Sequence, residues 1–99
     1  VNKTIKGGIM LNHALRIIRK SHDIKAKYIA INLGVSPGYI SEIETGKKTP
    51  NIQFLRKFAK TLGIKLSTIF LVEELLEANK YKNKLSINLI REIHSLMSE

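Results

Sequence analysis

Four lysines, Lys25, Lys27, Lys47 and Lys48, bracket a run of short polar side chains: Ser36, Ser41, Glu42 and Thr45. A serine hydroxyl can hydrogen-bond either kind of base edge, a glutamate can accept from a cytosine amine, and ammonium groups suit phosphates. Covalent chemistry finds no equivalent set. No nucleophile–base pair and no glycine-rich phosphate loop can be assembled, and the chain contains no cysteine. The histidines, His13, His22 and His94, stand alone, without the paired spacing of a metal site. The expectation is a binding protein that is not an enzyme, with no cofactor and no metal.

The 99 residues include 17 Lys and Arg against 8 Asp and Glu, a formal net charge of +9. Residues 1–71 hold thirteen basic and three acidic side chains, net +10, while residues 72–99 hold four and five, net −1. A basic body points to a polyanionic partner and a near-neutral tail to another task; a merely solvated basic surface is the alternative. The apolar fraction, 43%, fits one folded domain. No apolar run approaches the ~20 residues of a membrane span. The start, "VNKTIKGGIM", lacks a signal-peptide core, and cysteine is absent, so a cytoplasmic protein away from membranes is expected.

The elements that must position the polar residues read as helices. Leu11, Leu15 and Ile18 recur at spacings of four and three, and Asp23–Ile24 breaks the pattern. Residues 1–10, with Gly7–Gly8 and little periodicity, read as a flexible arm. A second helix spans Lys25 to Leu33 with Ile29, Ala30 and Leu33 inward, and Gly34 supplies its left-handed end. Ser36 suits an N-cap and Pro37 the first position of a third helix, which reaches Glu44 and stops at Gly46. With Ile40 and Ile43 inward, Pro37, Gly38, Ser41, Glu42 and Thr45 share the opposite face. Asn51 caps a fourth helix, with Ile52, Leu55, Phe58, Ala59 and Leu62 inward. A fifth runs from Leu66 to Asn79 and a sixth from about Leu85 to Met97, with no strand pattern of comparable strength. The fold class is all-α: a helix-turn-helix domain over 11–71 and a helical extension over 72–99.

Residues 15–70, "LRIIRKSHDIKAKYIAINLGVSPGYISEIETGKKTPNIQFLRKFAKTLGIKLSTIF", resemble the phage-repressor-type (Cro/Xre-like) helix-turn-helix family. Arg19, Ala30, Gly34, Val35, Ser36, Ile40, Ser41, Ile43, Glu44, Gly46, Pro50, Leu55, Ala59 and Leu62 carry the resemblance. It implies a compact five-helix domain whose third helix enters the DNA major groove. It also implies an ion pair between Arg19 and Glu44, tying the first helix to the end of the recognition helix. The family usually opens its second helix with a glutamine that hydrogen-bonds the DNA backbone, whereas here Ala26 stands there, between Lys25 and Lys27. Pro37 and Gly38 occupy places where the family often has polar readers.

On this reading Ser41, Glu42 and, through a thymine methyl, Pro37 meet base edges, with Gly38 between them. Lys25, Lys27, Ser36, Tyr39, Thr45, Lys47 and Lys48 reach phosphates. Glu42 has a second use, pairing with Lys47 or Lys48, and Tyr39 another, packing against the body. The expected function is a dimeric transcriptional repressor or autoregulator on a palindromic operator in double-stranded DNA. The alternatives are an antitoxin holding a toxin with its tail, a restriction–modification controller, and a protein-interaction module on the same fold. The fifth helix is more apolar than one core-facing stripe requires. Leu66, Ile69 and Phe70 are expected to close the core, leaving Val72, Leu75 and Leu76 to be covered by Leu89, Ile90, Ile93, Leu96 and Met97 of the sixth helix. That cover comes from the same chain or from a second copy, and a homodimer is the favoured form.

Overall fold

The computed structural model describes the backbone of residues 2–79 and 95, with side chains for residues 10–78 and 95. Five helices follow one another: α1 (Asn2–Ser21), α2 (Ala26–Leu33), α3 (Pro37–Glu44), α4 (Ile52–Leu62) and α5 (Leu66–Asn79). No strand occurs among the described residues, and no helix there is long and apolar enough to cross a membrane. α1 packs on α5 and α3, α2 on α3 and α4, and α4 on α5. The core between them is built from Leu15, Ile18, Ile29, Ile40, Ile43, Phe58, Ile69 and Val72, all fully buried. Each such side chain contributes about 1.5–3 kcal/mol by leaving water.

Local signals place α2 and α3 at a tight angle. Gly34 adopts φ +72°, which lets its N–H reach Ile31 O (3.2 Å) and the Val35 N–H reach Ala30 O (3.0 Å). That paired closure satisfies the last carbonyls of α2, and a Cβ at position 34 would strain the left-handed backbone. Two residues later Ser36 Oγ accepts from the Tyr39 N–H at 3.0 Å, and Pro37 takes the first helical position. Pro37 has no N–H to satisfy, so it initiates α3 without an unmet donor. Asn51 starts α4 the same way, its Oδ1 accepting from the Phe54 N–H at 2.8 Å.

The structure departs from the sequence-based expectations in three places. Residues 2–9, expected as an arm, are helical and belong to α1. Gly7–Gly8 lower helix propensity, but unlike proline they keep their N–H donors and do not break the hydrogen-bond ladder. On α4, Ile52 is about half exposed and Phe54 is buried in its place. The Phe54 ring meets Tyr39 edge-on at 5.9 Å and Phe58 at 6.2 Å, and this aromatic row draws the face of α4 toward it. On α5, Val72 and Leu76 are buried in the core, while Phe70 and Leu71 are exposed. With Ile69 at the centre, positions three and seven further on fall in line with it, and Phe70 lies ~100° away. Val72 and Leu76 thus belong to the main core, and Leu75 is half-buried against it. The expected sixth helix, with Leu89, Ile90, Ile93, Leu96 and Met97, lies outside the described residues except for Ser95, which is helical.

Candidate nucleic-acid interface

α3 is fixed from behind by two isoleucines and a clamp of polar groups. Ile40 and Ile43, three residues apart on one side of the helix, are each 1% exposed. Glu44, at the end of α3, points back toward α1. Arg19 Nε donates to Glu44 Oε2 at 2.7 Å, and Arg19 Nη2 donates to Oε1 at 2.9 Å. The third guanidinium nitrogen, Nη1, donates to Ile24 O at 2.7 Å, in the turn that leads into α2. One side chain of α1 thus ties together α1, the α1–α2 turn and α3. The fork geometry of arginine makes this possible, since lysine offers no planar set of donors.

Asn12, two helical turns before Arg19 on α1, adds a further bond by donating from Nδ2 to Glu44 O at 3.1 Å. Immediately beyond, Gly46 has φ +85°, and a Cβ there would come within 3.3 Å of Asn12 Nδ2. Asn12 therefore fills the space that a side chain at position 46 would take. Among the described residues no buried side-chain nitrogen or oxygen lacks a hydrogen-bond partner.

The opposite side of α3 faces outward. Pro37, Gly38, Ser41 and Thr45 are exposed and Glu42 is partly so. Thr45 Oγ1 donates to Ser41 O at 2.8 Å, which commits its hydroxyl proton to its own helix. Glu42 Oε1 receives Lys48 Nζ at 3.2 Å, and the Lys48 N–H donates to Glu42 O at 3.0 Å. The same ammonium stands 5.2 Å from the centre of the Tyr39 ring. In this structure Glu42 pairs with Lys48, and Tyr39 rests between Lys48 and Phe54. Lys47 is exposed beside them.

On α2, Lys25 occupies the N-cap position without any side-chain cap bond, so the first N–H groups of that helix, at Ala26 and Lys27, have no intrahelical partner. Lys27 Nζ stands 5.2 Å from the Tyr28 ring on its own helix. The structure gathers Tyr39, Glu42 and Lys48 into one cluster and sets Pro37, Gly38, Ser41 and Thr45 along one face of α3. Lys25 and Lys27 lie on a separate element, at the start of α2. Asn12 was not anticipated from the sequence, although its spacing of seven from Arg19 puts both on one face of α1 and was the available signal.

Acidic groups gather elsewhere. Glu73, Glu74 and Glu77 lie on α5, and burial, reinforced by Glu77 and Glu74, raises the Glu73 carboxyl above the usual carboxylate range. Basic and acidic surfaces are thus carried by different helices, with α2 and α4 free of acidic residues altogether.

Residues 15–69 match the family profile described as "Helix-turn-helix". The chain is 35% identical over 68 residues to the HTH-type transcriptional regulator SlrR of Bacillus subtilis (strain 168), covering 68% of this chain and 45% of that protein. It is 34% identical over 64 residues to an uncharacterized HTH-type transcriptional regulator of Methanocaldococcus jannaschii, covering 65% of this chain and 97% of that protein. The match therefore spans about half the length of SlrR but nearly all of the archaeal relative. No solved structure matches the chain significantly. With the profile lying over α2, α3 and the Arg19–Glu44 clamp, and covering more than half of the residues, the chain belongs to the helix-turn-helix family of Cro/C1 type.

Proposed function

We propose that this protein is a DNA-binding transcriptional regulator that acts as a dimeric repressor or autoregulator, with α3 lying in the major groove of a palindromic operator. The observation that carries this reading is the division of α3. One side is locked to the core and to α1, and the other offers Pro37, Gly38, Ser41 and Thr45 to solvent, with Lys47 and Lys48 at its end. A short helix held from behind and bare in front is the shape that enters a groove about 12 Å wide. Lys25, Lys27, Lys47 and Lys48 then neutralise phosphates, and the unpaired N–H groups at the start of α2 face the backbone where a glutamine side chain is lacking.

The relatives' names, HTH-type transcriptional regulators, agree with this assignment. Dimerisation would follow from the sequence stripe Leu89, Ile93 and Leu96, with Ile90 and Met97 beside it. Two-fold pairing would set two copies of α3 about 34 Å apart on one face of the duplex. Leu75 and the exposed Phe70 and Leu71 remain on α5 for such a contact, whereas Val72 and Leu76 are already used by the core.

The test is fluorescence anisotropy of the whole chain on duplexes from the region upstream of its own gene, repeated across a salt series. Log K is expected to fall by roughly 0.9 per phosphate neutralised for each decade of salt. Lys47→Ala should weaken all sequences alike and flatten that slope by about one unit. Affinity insensitive to salt, or absence of binding to any duplex, would reject the assignment. Light scattering on Ile93→Asp tests the dimer separately: a folded monomer supports it, and an unchanged dimer excludes this stripe as the contact.

A further inference from the structure

The DNA-facing side of α3 has unusually few groups free to read a base. Glu42 is engaged by Lys48, and the Thr45 hydroxyl is engaged by Ser41 O. The Ser36 hydroxyl serves as the cap of α3. Pro37 has no polar side-chain atom, and Gly38 has no side chain. Within this face Ser41 is the side chain whose hydroxyl makes no internal hydrogen bond among the described residues, while Ser36 keeps its O–H as a donor, Thr45 its oxygen as an acceptor and Glu42 its second carboxylate oxygen.

Gly38 presents a second and independent anomaly. Its φ does not lie in the left-handed region, and a Cβ built on it would meet only Ser36 Oγ, at 3.9 Å. Nothing in the fold therefore requires glycine at this position, and glycine weakens a helix relative to alanine. Gly34 and Gly46 differ, since both have positive φ. Gly38 lies on an exposed face between Pro37 and Ser41, where its lack of a side chain leaves the backbone bare. It lets a partner surface approach the backbone more closely than a methyl group would permit.

Resting on the DNA-binding reading above, we propose that Pro37 and Gly38 form an apolar seat for the C5-methyl group of a thymine, and that each operator half-site is specified there by that methyl rather than by a hydrogen bond. Thymine is the base whose major-groove edge carries a methyl group, and apolar contact is how proteins recognise it. The Pro37 ring supplies one wall and the bare Gly38 backbone the floor. Ser41, one turn further along α3, takes the neighbouring base edge. The preference is therefore for an A·T pair in a fixed orientation at this step, with little dependence on guanine contacts, since no arginine or free lysine side chain stands on this face.

The experiment begins with duplexes selected by the whole chain from a random pool. In the tightest of them each thymine is replaced, one at a time, by deoxyuridine, which removes only the methyl. Loss of one buried methyl is expected to weaken binding about fourfold at one position in each half-site and to do little elsewhere. Gly38→Ala should melt no lower than the parent, yet bind the selected duplex at least tenfold less tightly. In that variant the deoxyuridine change should have no further effect, which separates direct contact with the methyl from an effect of methyl loss on DNA shape. Unaltered affinity at every deoxyuridine position overturns the proposal, as does Gly38→Ala binding the selected duplex as tightly as the parent. If no duplex is selected at all, the DNA-binding assignment itself falls, and this inference with it.

Discussion

Two ion pairs lie two residues apart on α3 and face opposite ways. Glu44 meets Arg19 with side chains 8% and 10% exposed, and Glu42 meets Lys48 with side chains 44% and 51% exposed. The buried pair is bidentate, with additional bonds to Ile24 O and, at the Glu44 carbonyl, from Asn12. The exposed pair is single, long by comparison, and leaves its ammonium leaning over Tyr39. The same two charges thus do different things according to the water around them. Away from water the pair fixes where α3 sits, because stranding either partner leaves a charge in the core. In water the pair adds little to stability and can be exchanged at small cost for contacts with a ligand.

That contrast can be broken experimentally, and the largest effect belongs to the buried pair. Arg19→Met or Glu44→Gln should each lower stability by about 3–5 kcal/mol, read from urea or thermal unfolding. A double-mutant cycle should give a coupling of at least about 1 kcal/mol between them. Zero coupling would mean that the two residues act separately and that the clamp is an accident of packing.

A middle-sized effect should follow at Asn12, which sharpens the same side of the contrast without touching a charge. Asn12→Ala removes the bond to Glu44 O and should cost about 1–2 kcal/mol in equilibrium unfolding. A loss as large as that of Arg19→Met would show that the neutral bond, and not the ion pair, holds the end of α3.

The smallest stability change is expected at Lys48. Lys48→Met should alter unfolding by no more than about 0.5 kcal/mol, as exposed pairs do. Its consequence should appear in DNA binding, because an unpaired Glu42 then faces phosphates and bases. Adding Glu42→Gln to that variant should recover part of the lost affinity. If Lys48→Met instead destabilises the fold as much as Arg19→Met, the division between inner and outer pair does not hold.

The parts of this fold that could be read from the residues are those with strong local signals. Gly34, Ser36 with Pro37, and Asn51 mark helix ends by their own backbone chemistry, so the bounds of α2, α3 and α4 were legible. Ile40 and Ile43 fixed which side of α3 turns outward. The Arg19–Glu44 contact links residues 25 apart and became visible only through the family resemblance, since no local rule pairs them. α5 misled for a different reason. "LSTIFLVEELL" is apolar nearly all round, so no single stripe stands out, and packing against α1 and α4 decides that Val72 and Leu76 go inside and Phe70 outside. At the start of α1, Gly7–Gly8 argued for a break that the backbone does not make. In the candidate interface the residue types and their face were legible. The pairing of Glu42 with a lysine of the following loop was one of two uses the sequence left open, whereas the bond of Thr45 to Ser41 O was not legible, because it depends on a rotamer that composition leaves open.

The outward groups of α3 have one more property with consequences over generations. Their bonds are short-range: Thr45 to Ser41 within the helix, Glu42 to Lys48 in the loop that follows, Ser36 to the turn it caps. None of them reaches α1, where Asn12 and Arg19 hold the other side. On the DNA-binding reading proposed above, substitutions at positions 37, 38 and 41 would alter operator preference without touching the bonds that hold α3 to α1. Descendants of one such gene could part company over which promoters they visit long before they differ in how they fold.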